Sequence, residues 1–184
     1  MTHDTFVLDD RGMAMVLSRM AYEVLERNPR QHDLVLVGIR TRGVYLAQRL
    51  QALFVRIADL DVPLGVLDIT LYRDDLSRGI HHPVLEKTDI PFSLDDKVVI
   101  LVDDVLYTGR TVRAAMDGLM DFGRPQAIQL LVLVDRGLRE LPIMPNFVGK
   151  HVPSSPADLV KVRMQEGDGY DSVTVSVDSR QLKG

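Results

Sequence analysis

The chain has 184 residues, 46% of them hydrophobic and 26% charged, with a formal net charge of −4 and no cysteine. That length suits one domain with its own core, expected to span 1–184. The missing cysteine excludes disulfides, thiolate metal sites and cysteine nucleophiles, and the negative balance opposes indiscriminate attraction to nucleic acid while leaving room for a local basic face.

The N-terminal stretch Met1-Thr2-His3-Asp4-Thr5 has no basic region followed by an apolar run. No segment approaches the roughly 20 apolar residues needed to span a bilayer, so a cytoplasmic protein without membrane contact is expected. After Asp9 and Asp10, the residues Met13, Val16, Leu17, Met20, Ala21 and Val24 recur at three- and four-residue steps, the pattern of an amphipathic helix with an acidic start. Asn28-Pro29 ends it. The run Leu34-Val35-Leu36-Val37-Gly38-Ile39 reads as a strand covered on both faces. The turn Arg40-Thr41-Arg42-Gly43 leads to a second helix with Leu46, Leu50, Leu53, Phe54 and Ile57 on one side.

Val62 to Leu71 is a further strand candidate, and the charged stretch 72–92, with Gly79, His81-His82-Pro83 and Pro91, reads as a long loop of the kind that forms lids. Val98-Val99-Ile100-Leu101-Val102 is a second buried strand. A loop from Asp103 to Arg110 follows, then a third helix marked by Val112, Ala115, Met116 and Leu119 and stopped by Gly123 and Pro125. Ile128 to Val134 is a third buried strand. Val160-Lys161-Val162 and Val173-Thr174-Val175-Ser176-Val177 alternate like short edge or ribbon strands. Strands alternating with helices predict an α/β fold with a mainly parallel sheet flanked by helices.

In an open α/β sheet, ligands sit beyond the carboxyl ends of the strands. There the sequence reads Asp103-Asp104-Val105-Leu106-Tyr107-Thr108-Gly109-Arg110-Thr111. Backbone N–H groups at a helix start, with the hydroxyls of Thr108 and Thr111, form a cradle for a phosphate monoester. The two carboxylates suit the cis hydroxyls of a ribose or the water shell of Mg²⁺. No lysine follows the glycine as in a Walker loop, and no Gly-x-Gly-x-x-Gly turn is present. The plainer alternative is that the aspartates only cap a helix. His81 and His82, adjacent in a polar loop with no third ligand, predict no metal site.

The acidic pair followed by Thr-Gly-x-Thr resembles the signature of type I phosphoribosyltransferases for 5-phosphoribosyl 1-diphosphate (PRPP). The segments Leu36 to Gly43, Asp68 to Leu76 and Val134-Asp135-Arg136-Gly137-Leu138-Arg139-Glu140-Leu141-Pro142-Ile143 are similar to the PyrR family, from the first helix to about Val162. The resemblance implies a type I phosphoribosyltransferase fold with a flexible hood loop at about 72–92. It also implies regulation of pyrimidine genes by UMP- or UTP-responsive binding of an mRNA leader, conversion of uracil and PRPP to UMP and diphosphate, Mg²⁺ carried with PRPP, and a homodimer or larger assembly.

Carried over by position, Thr41 and Arg42 fall in the diphosphate loop, Asp103, Asp104, Val105, Leu106, Tyr107, Thr108, Gly109, Arg110 and Thr111 in the PRPP loop, and Arg136 in the segment beside the uracil pocket, with Val160 a further implied substrate-binding position. Asp103, Asp104 and Arg136 are the implied catalytic positions. A diphosphate needs donors at close approach, and Gly43 lets the backbone turn toward it; as plain surface charges, Arg40 and Arg42 would do neither. Arg73, with Asp74 and Asp75, opens the hood, whose closure would exclude water. Two positions depart from the family: Leu138 and Tyr22 each stand where histidine is usual. Arg19, Arg27 and Lys150 remain as the basic RNA face, or as solvated charges. Two rival readings stay open: an RNA-binding regulator that keeps the old active site as a nucleotide sensor, or a transferase for another base such as adenine, orotate or xanthine. The second shares the PRPP loop but not the segment Asp135 to Ile143.

Overall fold

The computed structural model describes residues 2–72 and 87–178. In chain order the strands are β1 (Thr2–Leu8), β2 (Leu34–Ile39), β3 (Leu64–Leu67), β4 (Val98–Leu106), β5 (Ala127–Asp135), β6 (Phe147–His151), β7 (Leu159–Arg163) and β8 (Ser172–Asp178). The helices are α1 (Asp10–Arg27), α2 (Arg42–Ala58), α3 (Arg110–Leu119) and the single turn α4 (Gln165–Asp168).

Five strands form a parallel sheet in the order β3-β2-β4-β5-β6. All six residues of β2 are buried, as a strand with helices on both faces requires. Alternate side chains feed two separate cores. Leu34, Leu36, Ile100, Val102, Leu131 and Leu133 meet α1 and α2 through Met13, Leu17, Met20, Leu46, Leu50 and Phe54. Val35, Val37, Val99, Leu101, Leu130 and Val132 meet α3 through Val112, Ala115 and Leu119. Phe54 is fully buried, and truncating such a side chain to alanine costs about 3–5 kcal/mol. A smaller antiparallel sheet, β1-β8-β7, lies beside the first core and contributes Val162, Val173 and Val175 to it.

Helix α1 starts where the sequence predicts, with the Asp9 carboxylate accepting the Gly12 N–H at 2.7 Å, a cap that satisfies one otherwise unpaired donor. Three boundaries differ from expectation, and two strands are additional. The strand predicted over Val62 to Leu71 narrows to Leu64–Leu67 and is followed by a 3₁₀ turn at Thr70–Tyr72. Strand β4 does not end at Val102 but runs to Leu106, because Asp103, Val105 and Leu106 pair with Val132, Val134 and Asp135. Helix α3 starts earlier, at Arg110. β1 and β6 were not foreseen, since neither carries a clean alternation of apolar and polar residues. No helix among the described residues is long and apolar enough to cross a membrane.

Candidate active site

The strand order fixes where a ligand can sit. Counted within the parallel sheet, β2 is followed by a neighbour on one side, β3, and then by β4 on the other, so connections leave in opposite directions at the β2–β4 boundary. A crevice opens at such a switch point, beyond the carboxyl ends of the strands. The loop after β2 and the loop after β4 both reach it. They touch directly: a Cβ on Gly43 would stand 2.4 Å from the Val102 carbonyl oxygen and 3.3 Å from the Asp103 Cα. Only glycine permits that approach.

On the β2 side, Thr41 is exposed and precedes α2 without a side-chain cap bond, and the Arg40–Thr41 peptide is cis. Arg42 is the first residue of α2, and its Nη2 donates to both carboxylate oxygens of Asp168, at 3.1 and 3.2 Å. The guanidinium therefore braces α4 rather than standing free in the crevice. Arg49, two turns on, braces the same segment, donating to Glu166 at 2.7 and 2.8 Å and to Asp171 at 2.7 and 2.8 Å.

On the β4 side, Asp103 is 6% exposed. Burial raises its pKa well above the ordinary carboxylate value, and the neighbouring Asp104 charge adds to that. The Asp104 N–H donates to Asp103 Oδ1 at 2.9 Å, and the Val105 N–H to Asp104 Oδ1 at 2.9 Å. Neither aspartate caps α3; the cap position is Gly109, at φ 92°. The predicted alternative of mere helix capping is thereby removed. The Thr108 hydroxyl accepts from the Arg110 N–H at 3.3 Å, Arg110 Nε donates to Glu140 at 2.7 Å, and Thr111 is exposed in the first turn of α3.

The third wall follows β5. Arg136 is buried, its guanidinium carbon 4.2 Å from the centroid of the Tyr107 ring. Its Nε donates to Ser154 Oγ at 3.0 Å and its Nη2 to the Ser155 and Asp158 carbonyls at 2.8 and 2.9 Å. The guanidinium is thus committed to holding 154–158 against Tyr107. Arg139 joins the two loops, donating to the Tyr107 carbonyl at 3.0 Å and to Asp135 at 2.7 Å, while the Glu140 and Leu141 N–H groups donate to the Thr108 carbonyl at 3.0 and 3.1 Å. A cavity of about 320 Å³ opens beside Asp135, Arg136, Leu138, His151 and Ser154.

Residues 41–43, 103–111 and 136 therefore converge at one end of the sheet. Val160 lies on β7, partly buried against the α1–α2 core. Arg73, Asp74, Asp75, His81 and His82 lie outside the described residues, as does most of the predicted hood. Arg19, Arg27 and Lys150 come together along α1 and β6: Arg19 donates to the Val148 and Gly149 carbonyls at 3.1 and 2.6 Å, Arg27 stands 5.7 Å from the Phe147 ring centroid, and Lys150 is exposed on β6. The partners of Arg49 and Arg136 lie 18 or more residues away and had no signal in the sequence, whereas Asp135, four residues before Arg139, was a partner that local spacing could have suggested.

Residues 5–166 match the family model described as the phosphoribosyl transferase domain. Among solved structures, hypoxanthine phosphoribosyltransferases from Staphylococcus aureus and Trypanosoma cruzi share the fold. The first has a TM-score of 0.70 at 18% identity, over 96% of this chain and 94% of that one. The second has 0.71 at 14%, over 93% and 95%. Proteins called bifunctional protein PyrR are much nearer in sequence. That of Pelotomaculum thermopropionicum is 56% identical over 92% of this chain and 93% of its own, that of Enterococcus faecalis 54% over 92% and 95%, and that of Deinococcus radiodurans 52% over 91% of each. With the switch-point crevice, the acidic pair and these identities in hand, the chain belongs to the PyrR family of phosphoribosyl transferase domain proteins.

Proposed function

We propose that this protein is a uracil phosphoribosyltransferase that also regulates pyrimidine genes by binding an mRNA leader in response to UMP or UTP, built as a single phosphoribosyltransferase domain over 1–184. The observation that carries the catalytic half is the contact between the two crevice loops, which sets Thr41 to Gly43 against the acidic pair. In this reading the N–H groups and hydroxyls at Thr108 to Thr111 hold the 5-phosphate, Asp103 and Asp104 accept from the ribose hydroxyls, and Thr41 and Arg42 face the diphosphate, with Arg73 joining them from the hood. Uracil N1 forms the bond to the anomeric carbon as the bond to diphosphate breaks, and the N1 proton is lost to solvent. Positioning and charge stabilisation dominate such a step.

The donor set fits Mg²⁺ borne on the substrate: Asp103 and Asp104 supply hard oxygens suited to a hydrated ion. When bound, that ion would neutralise the departing diphosphate. Arg136 and Val160 act on the base side, Arg136 by holding 154–158 in place through the bonds described above. Donation to Asp168 means that Arg42 must exchange partners, or share its remaining N–H groups, to meet a diphosphate.

Arg19, Arg27 and Lys150, gathered along α1 and β6, form the RNA face in this reading, away from the crevice. Alanine at all three positions should weaken leader binding and flatten its salt dependence by up to about 2.7 units of log–log slope, at roughly 0.9 per lost duplex phosphate contact. UMP formation should be unchanged.

Radiolabelled uracil with PRPP and Mg²⁺, run beside leader RNA binding with and without UMP, tests both halves. UMP formation together with UMP-strengthened RNA binding is expected. RNA binding without turnover would leave a regulator alone, turnover with adenine, orotate or xanthine in place of uracil would change the substrate, and neither activity would refute the reading. Sedimentation should give a dimer or larger species rather than 20.7 kDa.

A further inference from the structure

The cavity beyond β5 and β6 holds about 320 Å³ and is lined by Asp135, Arg136, Gly137, Leu138, His151, Pro153 and Ser154, near the small end of the range for organic ligands. Most of its polar groups are already committed. Asp135 Oδ1 accepts from the Gly137 N–H at 2.9 Å and from Arg139 Nη2 at 2.7 Å. The Arg136 guanidinium serves Ser154, Ser155 and Asp158, and the Ser154 hydroxyl both accepts from Arg136 Nε and donates to the Arg136 carbonyl at 3.4 Å. Leu138 and Pro153 offer apolar wall. His151 differs from these residues. It closes β6 opposite Asp135 in register, its Nδ1 stands 3.8 Å from Asp135 Oδ2, and its side chain is 73% exposed at the rim.

We infer that His151 is a specificity-determining residue of the transferase reaction proposed above, on which this inference rests, and that it presents Nε2 to the polar edge of the nucleobase. The Asp135 carboxylate, 3.8 Å from Nδ1 and beyond direct hydrogen-bond reach, favours a proton on that nitrogen by charge, and a proton there leaves Nε2 to accept a hydrogen bond. A planar imide with alternating N–H and carbonyl groups supplies the matching donor, and the apolar faces of Leu138 and Pro153 suit its ring. Asp135 faces the imidazole with Oδ2, and Arg139 holds Asp135 through Oδ1.

The test is steady-state kinetics with uracil and PRPP varied separately for wild-type protein, His151→Ala and His151→Gln. His151→Ala should raise the uracil KM about tenfold, the equivalent of one hydrogen bond, with the PRPP KM and the melting temperature unchanged. His151→Gln, whose amide reaches toward the place of Nε2, should recover most of the loss. An active wild type with an unaltered uracil KM in His151→Ala, or with equal rises for both substrates, overturns the inference alone. A wild type that makes no UMP from uracil overturns the transferase reading and this inference with it.

Discussion

Two acidic clusters among the described residues hold carboxyls whose pKa values move in opposite directions. Asp103 and Asp104 stand together at the end of β4, where burial and mutual repulsion push the Asp103 carboxyl well above its ordinary range. Glu166 and Asp171 accept from Arg49, and those bonds hold both carboxyls below their ordinary values. Asp168 is lowered too, first by the Met164 N–H and then by Arg42. Arg49 in turn is raised, chiefly by Asp171. The second cluster is balanced within the chain and fastens α4 and the start of β8 to α2. The first has no ion pair among the described residues, and a ligand bearing hydroxyls or a cation would balance it. Carboxylates held at a cost in folding mark a binding site more surely than carboxylates in salt bridges do.

The largest effect is expected at Asp103 and Asp104. Replacing both with asparagine removes two charged acceptors worth about 1.5 to 3 kcal/mol each, so kcat/KM for PRPP should fall about a hundredfold or more, measured by UMP formation. Arg49→Ala strands Glu166 and Asp171 without their counter-charge at positions only partly screened by water, since the three side chains are 23%, 32% and 14% exposed. A loss of about 2 kcal/mol is expected, between the values for exposed and buried pairs. That corresponds to roughly 4 to 8 °C in melting temperature by calorimetry, with turnover below that temperature retained.

The smallest effect carries the opposite sign. A carboxyl whose folded pKa is raised binds its proton more tightly in the folded state, so stability declines as pH rises from the unfolded value through the folded one. Asp103→Asn should therefore stabilise the ligand-free protein at neutral pH, by less than either loss above. The gain should fade as pH falls below the unfolded value of about 4, where the wild-type carboxyl becomes protonated in both states. Glu166 and Asp171 have lowered folded values, so the stability they contribute is present above the unfolded value and lost as pH falls through the folded one. Thermal melts across pH separate the two.

Periodicity carried the helices and the buried strands, because a 3.6-residue stripe in α1 or an unbroken run such as Leu34 to Ile39 is a direct image of what each element buries. It did not carry β6, whose five residues alternate poorly, or the true end of β4, where two aspartates interrupt an apolar run yet keep the ladder with β5. The crevice was legible at Asp103 to Thr111, where acids, hydroxyls and glycine follow a strand in unbroken sequence. Arg42 and Arg136 were legible as positions but not as contacts. Their partners, Asp168 for one and Ser154, Ser155 and Asp158 for the other, are brought to them only by tertiary folding.

Calorimetric titration of PRPP with Mg²⁺ into wild type, Asp103→Asn/Asp104→Asn and Arg49→Ala, all well below their melting temperatures, puts the contrast between the clusters to its most direct test. Saturable binding to wild type and Arg49→Ala, with none detectable for the double asparagine variant at the same concentrations, is the expected result. Unchanged isotherms for the double variant, or loss confined to Arg49→Ala, would contradict the assignment of the Asp103 to Thr111 segment as the PRPP site.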